Sequence, residues 1–137
     1  QWVNCVSSEC EAEVLSMAKK QEDLDRGIER MLAHAGEAND VTIEVTRGVT
    51  RPVWEPGDGT MTLYGLAKEI SGELGFDLTH QSSGGGSDGN FTGALGIATL
   101  DSLGVRGQGA HTLEEHIEVS SLDERARLIA GLLTRIE

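Results

Sequence analysis

The sequence is poor in aromatic residues and cysteine, and each shortage excludes a class of protein. Aromatic side chains make up only 4% of the 137 residues, so a hydrophobic core has to rest on Leu, Ile, Val and Ala. Two cysteines, Cys5 and Cys10, are too few for a disulfide scaffold. A short hairpin could pair them, but we expect reduced thiols packed inside the protein. The hydrophobic share of 38% and the charged share of 25% are typical of a globular protein and exclude a disordered one.

Basic residues and long apolar runs are also scarce. Eleven basic residues stand against 23 acidic ones, which gives a net charge of −12. This charge repels phosphate backbones and anionic membrane surfaces, so neither nucleic acid nor membrane is an expected partner. No apolar run approaches the length of a membrane span, and no segment resembles a signal peptide. We expect a cytoplasmic protein, with a periplasmic or secreted one left open because the strand-like start at Gln1 indicates that preceding residues were removed.

The first fifty residues combine alternating segments with one amphipathic helix. In "ECEAEVL" small or apolar residues alternate with glutamates, which is typical of a half-buried strand, and "WVNCV" before it is also strand-like. "QEDLDRGIERMLAHAG" has apolar residues at helical spacing and a stop at Gly36. "VTIEVTRGV" alternates again and predicts a strand with Val41, Ile43 and Val45 inward. The order strand, strand, helix, strand indicates a small sheet covered by a helix on one face.

The rest of the chain alternates helices and strands. The segment "RGVTRPVWEPGDGT" contains both prolines and marks a boundary between modules. Beyond it we predict helices in "TLYGLAKEISGELG", "DGNFTGALG" and "SSLDERARLIAGLLTRIE", with strands in "FDLTHQS" and "IATLDSLGV" between them. This alternation predicts an α/β fold with a mainly parallel sheet and right-handed crossovers. The expected buried side of the last helix consists of Leu122, Ala126, Ile129, Leu132, Leu133 and Ile136.

Two unusual loops follow the two predicted parallel strands. The loops are "SSGGGSDG", after a strand at 77–82, and "GVRGQGAHTLEEH", after a strand at 97–103. Because open parallel sheets bind ligands at the carboxyl ends of their strands, the two loops should be neighbours at one rim.

The triglycine run, Gly84, Gly85 and Gly86, leaves backbone amides unshielded. Ser87 or Asp88 would cap the next helix, whose positive end would face the same place. The run is therefore compatible with a cradle for a carboxylate or an oxyanion. Taken alone, however, the local sequence favours a tight strand-to-helix turn that holds no ligand.

His111 and Arg51 are the candidate binding side chains. A neutral imidazole on a glycine-lined loop near acidic residues can bind zinc, but a metal site needs three or four ligands. His111 and His116 enclose Glu114 and Glu115, but the sequence has no His-Glu-x-x-His motif, so the local pattern alone favours a His111 that binds no metal. The guanidinium of Arg51 suits bidentate carboxylate binding, with a solvated surface charge as its alternative role.

The segment from "SSGGGSDGNFTGALG" through "IATLDSLGVRGQGAHTLEEH" to "LIAGLL" resembles the C-terminal part of the co-catalytic zinc aminoacylase and carboxypeptidase superfamily. Glutamate carboxypeptidase, succinyl-diaminopimelate desuccinylase and aminoacylase are members. "NCVSSECEAEV" and "VTRGVTRPVW" resemble two strands of the inserted lid domain and the return to the catalytic domain. The resemblance implies that residues 1–50 are part of an α+β lid or dimerisation domain. Residues 51–137 would then be the C-terminal portion of an α/β catalytic domain.

The resemblance also implies a chemistry. Such enzymes hold two zinc ions, or cobalt or manganese in their place, bridged by a carboxylate and a water, and hydrolyse an amide next to a free carboxylate in an N-acyl amino acid or peptide. The resemblance implies that His111 is the last zinc ligand, that Arg51 binds the substrate carboxylate, and that Asn4 is a lid residue near the substrate. Gly84, Gly85, Gly86 and Ser87 would line the substrate pocket, and a homodimer would form through the lid domain.

Several parts of the family pattern are absent. The His-x-Asp motif, the bridging aspartate, the Glu-Glu pair with the general base and the lid histidine all belong upstream of Gln1. We therefore expect part of a larger metallopeptidase-type hydrolase, inactive by itself. The alternative is a short, non-catalytic binding or dimerisation module derived from such an enzyme. Ser7 replaces a common proline, and Ser82 replaces an arginine of glutamate-preferring relatives, so no glutamate preference is predicted.

Overall fold

The structure, a computed structural model, describes residues 3–136. Within this range it contains four α-helices and two small antiparallel sheets, which fall into two units. The first unit ends at Gly48 and the second begins at Val49. No helix in the described range is both long and apolar enough to cross a membrane.

The first unit is built around one helix and one hairpin. Helix α1 spans Gln21–Leu32, as predicted, and buries Leu24. Strand β1 (Gly36–Ala38) pairs antiparallel with strand β2 (Val41–Ile43). Asn39 and Asp40 join them with φ angles of 51° and 61°. These two residue types tolerate the left-handed region that a tight hairpin turn of this kind requires.

The predicted burial of the first unit is wrong in several places. Val14 is 62% exposed, and no strand forms over residues 3–15. An alternating pattern defines two faces, but a strand also needs a ladder of backbone hydrogen bonds to a neighbouring strand, and none of the described segments forms such a ladder there. Val41 and Ile43 are exposed instead of inward, whereas Val45 is half-buried. Trp2, the first residue of the predicted strand "WVNCV", lies outside the described residues.

Cys5 and Cys10 are free and exposed. The expectation of packed thiols is therefore wrong, because the segment that carries them lies on the surface rather than in a sheet.

The second unit contains the three predicted helices. Helix α2 spans Asp58–Glu73, helix α3 spans Gly89–Ala94, and helix α4 spans Ser121–Arg135. Between α3 and α4, strand β3 (Gly107–Gln108) pairs antiparallel with strand β4 (His116–Ile117).

Helix α2 ends where its sequence predicts. Gly75 takes a φ of +85°. The N–H of Phe76 donates to the Ser71 carbonyl at 3.0 Å, and the N–H of Gly75 donates to the Gly72 carbonyl at 3.1 Å. This pair of bonds is a Schellman motif, which favours glycine at the left-handed position.

The core of the second unit lies between α2 and α4. Its buried members are Ala67, Ile70, Leu78, Leu128 and Leu132. Gly131 lets the two helices approach closely, since a Cβ atom there would lie 2.8 Å from Cγ2 of Ile70. At the far end of the pair, Arg135 donates two hydrogen bonds to the carboxylate of Glu73.

Helix α4 buries a different face from the one predicted. Ser121, Leu128 and Leu132 are buried, and of these only Leu132 was on the predicted side. The other predicted members are exposed, namely Leu122, Ala126, Ile129, Leu133 and Ile136. The helix carries two apolar stripes, and its periodicity alone does not decide between them. The small residue Gly131 allows the observed stripe to meet α2, since a side chain there would collide with Ile70.

The predicted parallel sheet does not form within the described residues. The segments 76–82 and 97–105 contain no strand, and both sheets are antiparallel. Side chains of α2 bind the backbone of these segments instead: Tyr64 Oη donates to the Leu78 carbonyl at 2.9 Å, and Thr60 Oγ1 accepts from the Thr99 N–H at 3.3 Å. The apolar residues of both segments nevertheless reach the core, with Leu78 buried and Leu100 packed against it.

Candidate functional site

Arg51 lies against the triglycine run. A Cβ atom on Gly86 would stand 3.1 Å from Cδ of Arg51 and 3.9 Å from its Nε. Glycine therefore allows the arginine side chain to lie directly over the loop backbone. The guanidinium is half-exposed, and its Nη2 lies 3.9 Å from Oδ1 of Asp88. The structure thus brings together two of the predicted substrate-binding elements.

The loop after the glycines is ordered by its own side chains. Oγ of Ser83 accepts from the Gly85 N–H at 3.1 Å, and Oγ of Ser87 accepts from the Gly89 N–H at 3.1 Å. Ser87 therefore binds the first residue of α3, whereas Asp88 makes no side-chain capping bond. Since the amide of Gly85 is engaged inside the loop, an anion has fewer donors there than the glycine run suggests. Gly84 is exposed, with no atom within 4 Å of its Cβ position.

Asn90 links the loop to the segment that carries Arg51. Its Oδ1 accepts from the Ser87 N–H at 2.9 Å, and its Nδ2 donates to the Pro52 carbonyl at 2.8 Å. No motif singles out this residue, because its partner Pro52 lies 38 positions away and only the folded structure brings the two together.

His111 stands in the loop of the β3–β4 hairpin. Its imidazole is exposed, its backbone N–H donates to Oε2 of Glu115 at 3.3 Å, and its φ is +65°. Gly107 makes the hairpin possible, because a Cβ atom there would lie 2.3 Å from the His116 carbonyl oxygen. The sequence predicted a loop in this region but not the hairpin, because strands of two residues each are too short to show an alternating pattern.

Arg106 ties the base of this hairpin to α4. Its Nε donates to Oε2 of Glu118 at 3.0 Å, its Nη1 donates to Glu124, and its backbone N–H donates to Oγ of Ser121 at 2.9 Å. The hydrogen bond to Glu124, followed by the one to Glu118, raises the pKa of the Arg106 guanidinium above its ordinary value. The residue was not selected from the sequence, since its carboxylate partners lie 12 and 18 positions away.

The donor set for a metal is incomplete in the described residues. Residues 3–136 contain no group of three His, Cys, Asp or Glu side chains that could hold a metal ion. The exposed imidazole of His111 fits the role of one ligand, but one ligand does not make a metal site. Asn4 is exposed in the first unit, where its Oδ1 receives a weak S–H contact from Cys5 at 3.9 Å.

The sequence matches a known family over nearly its whole length. The model of peptidase family M20/M25/M40 matches residues 5–135, and the chain belongs to this family. Members of the family are metallohydrolases, among them carboxypeptidases and desuccinylases. The resemblance stated from the glycine and histidine motifs is thereby confirmed.

Three curated relatives illustrate the match. Carboxypeptidase G2 of Pseudomonas sp. (strain RS-16) is 30% identical over 123 residues, which cover 83% of this chain and 28% of the relative. A succinyl-diaminopimelate desuccinylase of Stutzerimonas stutzeri (strain A1501) is 42% identical over 69 residues, or 50% of this chain and 17% of the relative. The same enzyme of Thioalkalivibrio sulfidiphilus (strain HL-EbGR7) is 23% identical over 133 residues, or 97% of this chain and 35% of the relative.

The chain therefore spans at most 35% of the length of these relatives. No solved structure matches it significantly.

Proposed function

We propose that the chain is part of a longer metal-dependent hydrolase that cleaves an amide or peptide bond next to a free carboxylate, and that it is inactive by itself. The observation that carries the proposal is the contact between Arg51 and Gly86. It sets a guanidinium beside an exposed glycine loop in a chain that belongs to a family of metallohydrolases. An arginine fork recognises a carboxylate through two parallel hydrogen bonds.

Each predicted site residue has a place in this proposal. Arg51 would bind the substrate carboxylate in place of its long contact with Asp88. The loop formed by Gly84, Gly85, Gly86 and Ser87 would line the substrate pocket. Asn4 is proposed as a substrate contact on the family resemblance alone. The substrate class is a small N-acyl amino acid or a peptide.

His111 would supply one ligand to a pair of zinc ions, with cobalt or manganese as other candidates. The described residues do not complete this centre, so the remaining ligands would have to come from other parts of the longer protein. When bound, such metal ions act as Lewis acids towards the scissile carbonyl. The exposed position of His111 in a defined hairpin supports its role as a ligand.

The finer architecture is also a proposal. In the longer protein, segments 76–82 and 97–105 would find strand partners and join a mainly parallel sheet, and the first unit would be part of a lid domain through which a homodimer forms. The exposure of Val14 and Leu15 in the first unit supports the lid proposal, since exposed large apolar side chains are typical of a surface that another surface covers. We propose the cytoplasm as its location.

The test compares the complete reading frame with its Arg51→Ala variant on two substrates. One is an N-acyl amino acid with a free carboxylate, and the other is the same compound as its carboxamide. We expect Arg51→Ala to raise KM for the first substrate only, because the carboxamide offers no charge to the guanidinium. Arg127→Ala is the control, since this exposed arginine pairs with Asp123 on α4.

Equal losses on both substrates would contradict the role of Arg51. A reading frame that begins directly before Gln1 and yields a protein without bound metal would support the non-catalytic module instead.

A further inference from the structure

The side chain of Asn90 joins two backbone segments that are far apart in the sequence. Its Oδ1 accepts from the Ser87 N–H at 2.9 Å, and its Nδ2 donates to the Pro52 carbonyl at 2.8 Å. Ser87 follows Gly86, and Pro52 follows Arg51. The side-chain amide of Asn90 therefore holds together Ser87 and Pro52. These two are the sequence neighbours of Gly86 and Arg51, which are in contact at the candidate site.

Asparagine meets both requirements of this position. The Ser87 N–H needs an acceptor and the Pro52 carbonyl needs a donor, and a carboxamide provides one of each from a single short side chain. An ionised aspartate would retain the acceptor but would place an oxygen against the carbonyl. Both hydrogen bonds are partly buried, so water replaces them less readily than on an open surface.

An apolar contact reinforces the same junction. The indole of Trp54 lies over α3, where a Cβ atom on Gly93 would be only 2.2 Å from indole Cδ1 and one on Gly89 would be 3.4 Å from Cζ3. Residues 51–54 are therefore fixed to the start of α3 at Pro52 by a hydrogen bond and at Trp54 by packing.

Arg51 itself has weaker restraints. Its side chain is half-exposed, and its ion pair with Asp88 spans 3.9 Å. An exposed pair of this length fixes a side chain poorly. The position of the guanidinium therefore depends on where its backbone is held relative to the loop.

We infer that Asn90 is a positioning residue that holds Arg51 over the glycine loop for binding of the substrate carboxylate. The inference rests on the proposed function of Arg51. Without Asn90, the segment with Arg51 shifts against the loop, and the guanidinium spends less time where a carboxylate can meet it.

The test uses the complete enzyme and the two substrates described above. Asn90→Ala should raise KM for the carboxylate substrate on the order of tenfold, the scale of one lost net hydrogen bond to a charged group, with little change in kcat. KM for the carboxamide should stay the same. Gln81→Ala, which removes an exposed amide before the same loop, should change neither value. Asn90→Asp retains the acceptor and the volume, and should reproduce the effect if the alanine variant fails to fold.

The double variant separates positioning from a merely structural role. If Asn90 acts through Arg51, then Arg51→Ala with Asn90→Ala should have the KM of Arg51→Ala alone. Additive losses, or an equal loss on the carboxamide, would overturn the inference. If Arg51→Ala raises KM but neither Asn90 variant does, the inference fails and the proposed function stands. If Arg51→Ala does not change KM for the carboxylate substrate, the proposed role of Arg51 is wrong, and the inference about Asn90 is wrong with it.

Discussion

The indole of Trp54 occupies the space in which a side chain on Gly93 would lie. A Cβ atom on this glycine would be 2.2 Å from indole Cδ1, well inside any tolerated contact. The segment with Arg51 thus packs on α3 through Trp54. The contact requires glycine at position 93, because any side chain there would overlap the indole.

Gly93→Ala should destabilise the second unit by about 1–3 kcal/mol, the usual cost of forcing an extra carbon into a packed contact. Trp54 has to leave its place on α3 to make room. Chemical denaturation followed by tryptophan fluorescence measures both effects. Gly65→Ala is the control, because beyond the backbone of its own helix and its chain neighbours this glycine of α2 has nothing within 4 Å of its Cβ position. The control should stabilise the protein by roughly 0.5–1 kcal/mol, and equal destabilisation by both variants would contradict the structure.

Gly107→Ala should open the hairpin that carries His111, because its Cβ atom would lie 2.3 Å from the His116 carbonyl oxygen. In the complete enzyme we expect weaker metal binding, measured as metal content after dialysis against a chelator. Gly104→Ala provides a matched comparison, since nothing lies within 4 Å of its Cβ position. Unchanged metal content in both variants would show that the hairpin does not position a ligand.

Leu128→Ala should destabilise the protein by about 2–5 kcal/mol, because Leu128 is fully buried between α2 and α4. Leu133→Ala removes the same side chain from the same helix at a position that is 76% exposed, and should cost less than about 0.5 kcal/mol. Thermal or urea unfolding of the two variants decides which face of α4 meets the core. A larger destabilisation by Leu133→Ala than by Leu128→Ala would indicate that the face of α4 predicted from the sequence meets the core.

Acidification should weaken the link between α2 and α4. Hydrogen bonds from Arg135 hold the pKa of the Glu73 carboxyl below its ordinary value of 4.5. A lowered pKa in the folded state means that the stabilisation is fully present above the unfolded-state pKa and is lost as the pH falls through the folded one. Glu73→Gln should therefore unfold with a smaller dependence on pH below 4.5 than the parent protein. Identical acid profiles for Glu73→Gln and the parent protein would refute the prediction.

The 137-residue chain should hydrolyse no N-acyl amino acid, because its described residues hold no set of metal ligands. The measurement is amine release in the presence of added zinc. Hydrolysis by the purified chain that disappears in His111→Ala would contradict this expectation.

The helices could be predicted because their signals are local. The apolar spacing and the terminal glycine of α2 fix that helix and its Schellman end without help from the rest of the protein. Strands depend on partners elsewhere, which is why the segments at Leu78 and Leu100 were recognised as apolar but form no ladder. The face of α4 could not be predicted from apolar spacing, because the close approach to Ile70 of α2 depends on the absence of a side chain at Gly131.

The candidate site was predictable to a similar extent. Arg51 and the triglycine run were selected by residue type, and their contact is observed. Asn90 and Arg106 were not selected, because each joins segments whose proximity exists only after folding. The role of His111 remains a prediction, since its chemistry depends on ligands that the described residues do not hold.

The left-handed backbone at His111, with a φ of +65°, makes the choice of replacement at this position consequential. Glycine and asparagine adopt this conformation with little strain, whereas β-branched residues resist it. The effect of a substitution at position 111 should depend first on how well the new residue adopts a positive φ. What its side chain binds should matter only after that. His111→Asn is therefore the replacement that removes the imidazole while sparing the shape of the loop.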